Sequence, residues 1–543
     1  MHSELNPRYI SRRSTVYAAR GMVATSQPLA AQAGLLILMQ GGNAADAAVA
    51  TAAALNVTEP CSTGLGGDCF MLFYDAATRS VSALNGSGRA PQSLNFDALA
   101  ADGFVKELPP FHAHTVTVPG ACAGWVDTVE RFGSLPLSDI LAPAIRLAQE
   151  GFPVAPLTAY FWGRGAERQL GNSAGGQELL INGRAPGAGE VFSNPTLGKV
   201  LQSIAETGKE DFYRGWIAEA IVSTVQDHGG LMSLDDLAHH TSTWEEPIST
   251  IYDGVRLYEC PPNGQGLTAL LALNILSQFD LPENPLSVER LHLVIEALRL
   301  AFADTRWFVA DPVHNPAPLD ELLSAAYAAE RAKLINREQA TIDQITGVPV
   351  AGSDTVYLTV VDGEGNACSF INSNYMGFGT GIVPSGTGFS LQNRGHGFSL
   401  NPNHPNALTP GKRPYHTIIP AMATRESDGS LFASFGVMGG FMQPQGHLQV
   451  LLSLVADGLS PQDALDQPRV CIEDGRAGGR TALEEGIPVA VMAQLAAMGH
   501  PVRPASGQSR AIFGRGQIIL RDPVSGVLAG GSDPRADGLA IGF

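Results

Sequence analysis

The sequence has few cysteines and no Cys-x-x-Cys pair: six in 543 residues, at Cys61, Cys69, Cys122, Cys260, Cys368 and Cys471. That sparseness argues against a disulfide frame or a zinc site and for reduced, buried thiols. Positive charge is scarce as well. There are 34 basic residues against 52 acidic ones, a net charge of −18, which opposes any general attraction to nucleic acid or anionic lipid. An anionic substrate must therefore meet local cations. Long apolar runs are missing: "GLLILM" at Gly34–Met39 is far short of a membrane span and lies too deep for a signal peptide, so a cytoplasmic protein is expected. No G-x-x-x-x-G-K-[ST] occurs, and "GFGTG" at Gly377–Gly381 lacks the third glycine of a dinucleotide fingerprint, which leaves nucleotide binding unsupported.

What is present is globular in character. Hydrophobic residues make up 44% and charged ones 16%, with 61 Gly and 36 Pro spread along the chain, a composition of many tight turns around a sizeable core. The length allows three or four domains of about 150 residues, or one large α/β layer system. Residues 1–20 are polar and basic and read as a loosely held arm. "NAADAAVATAAALNV", Asn43–Val57, predicts a buried helix with Asn43 as N-cap and Asp46 in its first turn, rich enough in Ala for neighbours to pack on its backbone. A second helix is predicted over Ser287 to Trp307, with Leu291, Val294, Ile295, Leu298 and Phe302 on one face. Residues 336–353 lose apolar periodicity and read as an exposed linker. After it, strand-like runs at Val356–Asp362, Ala367–Asn372, Leu431–Val437, Gln517–Leu520 and Val527–Leu528 make the last third sheet-forming.

Several local patterns invite a chemical reading and are better explained without one. Gly171-Asn172-Ser173-Ala174-Gly175 matches the G-x-S-x-G elbow of serine hydrolases, but the polar "GRGAERQL" before it is no buried strand. A serine hydrolase using Ser173 is kept only as an outside alternative. His112 with His114, and His239 with His240, lack partners at metal spacing and read as solvated or capping histidines. Asp354–Thr355 open a buried-looking strand directly after the slack "GVPVAGS", and a Thr at a strand start is by itself only a good β-former.

The company Thr355 keeps changes that. The hairpin "SDTVYLTVVDGEGNACSFINSN", the downstream "GVMGG" at Gly436–Gly440 and Arg89 in "NGSGRAP" resemble the γ-glutamyltranspeptidase family. The resemblance runs nearly end to end, through "GMVATSQPLAAQAGLLILMQGGNAADAAVA", "GLGGDCFMLFY", "VPGACAGWVDTVERFG", "APAIRLAQEGFPV" and "GGSDPRADGLAIG". It implies an α/β fold, the four-layer αββα sandwich of N-terminal-nucleophile hydrolases, made as a zymogen and cut by itself between Asp354 and Thr355. Chains 1–354 and 355–543 then form one intertwined globular domain, a heterodimer open to further dimerisation. The new α-amine, with a pKa of about 7.7–8, supplies a base within the nucleophilic residue. The resemblance further implies that Ser373 positions the nucleophile, that Gly439 and Gly440 offer oxyanion N–H groups, and that Arg89 grips a substrate carboxylate. No metal or organic cofactor is implied.

The sequence departs from the family where the glutamyl α-amine is held. In "GFSLQNRGHGF" the expected Gln and Asp become Arg394 and Gly397, an expected Asn becomes Tyr375, and the serine pair after "KRP" becomes His416 and Thr417. With an acidic ligand lost and Arg394 gained, His396 lying two residues on, the pocket is expected to favour anions over zwitterions. The expected substrate is a small anionic amide with a carboxylate near the scissile bond and no α-amine, oxamate being the leading example. The alternatives are a γ-glutamyltransferase or glutathione hydrolase, a glutaryl-type cephalosporin acylase, and a non-catalytic relative.

Overall fold

The computed structural model describes residues 11–341 and 355–543. The first part of the expected arm, most of the expected linker and Asp354 lie outside the described residues.

Two seven-stranded sheets, antiparallel throughout, carry the fold. One runs in the order Leu539–Gly542, Met22–Thr25, Val356–Val361, Ala367–Ser373, Asp68–Asp75, Ser80–Gly86, Thr243–Glu245. The other runs Val16–Ala18, Leu528–Ser532, Arg515–Arg521, Leu431–Met438, Ala421–Arg425, Val255–Glu259, Ile248–Tyr252. Alternation along a strand shows how they stack. Val356, Leu358 and Val360 join a core with the helices Pro28–Met39 and Ala44–Thr58. Tyr357 and Val361 point the other way, into a second core with Met422 and Ile519 of the facing sheet. Beyond that sheet, Ala421, Ala433 and Phe435 meet Leu270, Leu298 and Leu451 of three further helices. The order is helices, sheet, sheet, helices, the four-layer sandwich. A strand buried on both faces needs apolar residues without a polar phase, and each buried Val or Leu contributes about 1.5–3 kcal/mol.

The helix Ala44–Thr58 is buried along its whole length, and Asn43 and Asp46 form a reciprocal capping box at its start, worth about 1 kcal/mol. Its alanines let a neighbouring helix come close: a Cβ on Gly34 would lie 2.2 Å from Thr51 Oγ1. The helix Val288–Phe308, capped by Ser287, buries the five expected apolar residues.

One expectation needs correction. The arm is not loose from Val16 onward, because Val16–Ala18 pairs with Leu528–Ser532. Ahead of that strand, Arg13 donates to the carbonyls of Ser532, Asp533 and Ala536. The first two-thirds of the chain carry sheet as well as helix. "DCFMLFYD" and the strands near residues 22 and 255 belong to the same two sheets, and apolar runs buried on both sides carry no alternation to betray them. No helix among the described residues is long and apolar enough to cross a membrane.

Candidate active site

The site forms where the strand Val356–Val361 begins and its partner ends. Val356 faces Asn372 in register, so the next pair is Thr355 and Ser373, with Thr355 Oγ1 3.0 Å from Ser373 Oγ and both residues fully buried. Ser373 Oγ also accepts the Tyr375 N–H at 2.8 Å. On the other side Ser373 faces Asp68 in register. Trp125 Nε1 donates to Asn372 Oδ1 at 3.0 Å and fixes the strand end.

Asp68 organises the next layer. Its carboxylate accepts from Gly88 N, Gly120 N, Gln392 Nε2 and His416 Nε2 at 2.9–3.1 Å. Burial pushes its pKa up, but the His416 hydrogen bond and the nearby His416 and Arg394 outweigh that and leave it below the usual value. The His416 ring is pushed down to about 3 by burial and by Arg394. Its neutral form therefore donates from Nε2 to Asp68 and accepts the Ile418 N–H at Nδ1. Both ring nitrogens are spent inside the protein. His416, expected at the substrate, instead supports Asp68.

Arg394 is the unusual group. It is fully buried, stacks on the Tyr375 ring at 4.2 Å and donates from Nη1 to Thr417 Oγ1 at 2.7 Å. Its Nε and Nη2 have no hydrogen-bond partner, and Asp68, the nearby carboxylate, is committed to four other donors. Burial lowers its pKa to about 10, so it stays charged at neutral pH. Tyr375 is held at φ 81°, a left-handed conformation that costs a non-glycine residue about 1–3 kcal/mol. That strain brings the ring under the guanidinium.

Gly439 and Gly440 link the strand Leu431–Met438 to the helix Met442–Val455, at φ 131° and 59°. Neither N–H donates to a backbone acceptor among the described residues, and a Cβ on Gly439 would press on Gly514 Cα at 3.1 Å. Gln265 Nε2 ties this turn to the pocket by donating to both Gly440 O and Thr417 O. Arg89 is half-buried, donates to Thr241 O at 3.3 Å, and follows Gly88, which is bonded to Asp68. Gly397 and His396 lie in the same turn as Arg394, with His396 Nδ1 2.9 Å from Leu108 O.

The remaining expectations sort cleanly. Ser173 Oγ donates to Val383 O and accepts Val383 N–H, both at 3.0 Å. It staples one loop to another, with the geometry of packing and not of a nucleophile. Ser173→Ala is expected to leave kcat/KM within about twofold and to lower stability by about 1–2 kcal/mol, read by urea unfolding. His112 caps a turn as expected, but His114 is buried against Asp102 and His240 stacks on Tyr213. Among metal-type residues, His292, Glu296 and His500 cluster in the interior. There the imidazoles bond each other at 2.7 Å, and Arg299 Nε lies 3.9 Å from Glu296, so the guanidinium already supplies the positive charge.

Sequence reasoning missed Asp68 and Gln443. A lone carboxylate inside "GLGGDCFMLFY" was the available signal for the first. It also qualifies the lost-acid argument: the pocket does contain an acid, one whose Oδ1 already accepts three donors and whose Oδ2 accepts the His416 N–H.

Comparison with known proteins agrees with this architecture. The family model for gamma-glutamyltranspeptidase matches residues 30–543. The chain is 37% identical to the glutathione hydrolase-like YwrD proenzyme of Bacillus subtilis (strain 168), over 97% of this chain and 99% of that protein. It is 33% identical to the oxamate amidohydrolase proenzyme of Klebsiella pneumoniae, over 98% and 100%. The crystal structure of cephalosporin acylase from Bacillus halodurans matches with a TM-score of 0.93 at 47% identity, covering 100% of this chain and 99% of that one.

Proposed function

The chain belongs to the gamma-glutamyltranspeptidase family, as an amide hydrolase or acyltransferase of the N-terminal-nucleophile type, and from that premise we propose that it cuts itself before Thr355 and then hydrolyses a small carboxylate-bearing amide such as oxamate. The observation that carries the substrate assignment is Arg394, buried and charged with two donor edges unpartnered. An unpaired charge in the interior is costly by several kcal/mol, and a substrate carboxylate offsets that cost by bidentate bonding.

In this reading the uncut chain holds the Thr355 nitrogen as an amide. The Thr355 hydroxyl, beside Ser373, attacks the preceding carbonyl, and hydrolysis of the resulting ester frees residues 1–354 and the α-amine of Thr355. In the mature heterodimer that amine takes the hydroxyl proton as Oγ1 attacks the substrate amide carbon. The Gly439 and Gly440 N–H groups stabilise the oxyanion, each worth about 3–4 kcal/mol. The amine returns the proton to the leaving nitrogen, and water then releases the acid. Arg394, backed by Tyr375 and Thr417, holds the carboxylate, with Arg89 as a second cation. A glutaryl-type acylase is the second reading, favoured by the 47% identity to a cephalosporin acylase, and it uses the same anion receptor for a longer acyl group.

Oxamate, glutaryl-p-nitroanilide and γ-glutamyl-p-nitroanilide discriminate, because the last two share the same free carboxylate and differ only by the α-ammonium on the carbon beside it. At least about a 100-fold preference in kcat/KM for the amine-free acids over the γ-glutamyl amide is expected. A preference for the γ-glutamyl amide would reverse the assignment.

A further inference from the structure

Gln443 lies in the first turn of the helix Met442–Val455, directly after the Gly439–Gly440 turn, and is fully buried. Its orientation is fixed. The side-chain Oε1 accepts the Ile419 N–H at 2.9 Å, so the amide cannot flip without pointing two N–H donors at another donor. The Nε2 that this leaves has no hydrogen-bond partner. A buried carboxamide with two unmade donor bonds costs about 1–3 kcal/mol, an expense that packing alone does not explain.

Two neighbours say where that amide sits. Ile419 is two residues beyond Thr417, whose hydroxyl accepts Arg394 Nη1. The backbone N–H of Gln443 donates to Gly440 O, and Gln265 ties Gly440 O to Thr417 O. Gln443 and Arg394 thus both bond to one segment, Thr417 to Ile419, next to the glycine turn. We propose that Gln443 is a specificity-determining residue whose carboxamide completes, with Arg394, an all-donor receptor for the free carboxylate of the substrate. This rests on the anionic-substrate reading above. A carboxylate offers about four lone-pair positions, more than one guanidinium edge fills, and a second donor pair from Gln443 takes the remainder. An ammonium group finds only donors there and is rejected.

Gln443→Glu tests this with almost no change of shape. Glu keeps an oxygen for Ile419 N–H and replaces the donor nitrogen by an anionic acceptor. The variant is first checked for soluble expression and self-cleavage, then KM and kcat are read on glutaryl- and γ-glutamyl-p-nitroanilide. KM for the glutaryl substrate is expected to rise about 30-fold or more with kcat within about threefold, while KM for the γ-glutamyl substrate falls. A general structural defect would not move the two in opposite directions. If Q443E does not accumulate self-cleaved, Gln443→Met, which loses both donors at similar length, is read instead for a rise of about tenfold in the glutaryl KM. A wild type that prefers glutaryl while KM in the variant stays within about twofold overturns this inference alone. A drop in kcat at constant KM overturns it too, and would make Gln443 an oxyanion donor. A wild type that prefers the γ-glutamyl substrate overturns the anionic pocket and this inference together.

Discussion

Thr355→Ala is expected to accumulate as a single uncut chain of 57.0 kDa with no measurable amidase activity, whereas the wild type is expected to run as fragments 1–354 and 355–543. The expectation follows from how much the one residue is asked to supply. Its hydroxyl is the group placed 3.0 Å from Ser373, and its α-amine exists only after the cut, so losing Oγ1 removes the nucleophile and prevents the base from appearing. The loss is of the order of 10⁴-fold or more, by analogy with removal of a nucleophile that acts as one unit with its base. Stability moves little, by about 1 kcal/mol for one hydrogen bond, so circular dichroism separates loss of chemistry from loss of fold. Thr355→Ser retains both groups and is expected to cut slowly. Intact mass decides: an Ala variant cut at the same bond would mean that the hydroxyl of Thr355 is not what cleaves the chain. In the mature enzyme, kcat/KM rises with pH as the α-amine loses its proton, with a midpoint near its ordinary pKa of about 7.7–8.

The residues that were legible in the sequence are those whose signal is local or repeats a family pattern. The Asn43 cap and Asp46 lie three residues apart, and one turn of helix brings them together. The strand after Thr355 declares itself by an unbroken apolar run, and Gly439–Gly440 by its place after another. What escaped depends on contacts between distant parts of the chain. Asp68 meets His416 across 348 positions, and no spacing rule links them. His416 was placed in the pocket by its position after "KRP", but which way its ring nitrogens turn is decided by Asp68. Arg13, in a stretch whose polarity suggested a loose arm, is anchored by carbonyls more than 500 positions away. The Ser173 pattern shows the converse: five residues matched a motif, while the bonds to Val383 that give the serine its role lie outside it.

Arg394→Met is expected to cripple the enzyme and to stabilise it. Methionine keeps the length of the stem and its contact with the Tyr375 ring while discarding the guanidinium. The wild-type charge is fully buried, one of its edges bonds Thr417, and its remaining donors are unmade. Folding therefore desolvates a cation without a paired anion. Replacing such a group by an apolar side chain of similar volume raises stability by about 1–4 kcal/mol, seen as a higher urea midpoint at unchanged m. The same change removes the partner of the substrate carboxylate. Losing a buried charge-assisted pair costs about 2–5 kcal/mol, so kcat/KM for oxamate falls by roughly 30- to 4,000-fold at 1.4 kcal/mol per tenfold. Self-cleavage, whose groups are Thr355 and Ser373, proceeds to completion and certifies the fold. The two effects have opposite signs because they have one cause: a charge kept in the interior at a cost to folding is stabilised only when an anion arrives. A variant that is less active and also less stable would show that Arg394 holds the pocket together instead, and a variant that is more stable and equally active would show that the substrate never touches it.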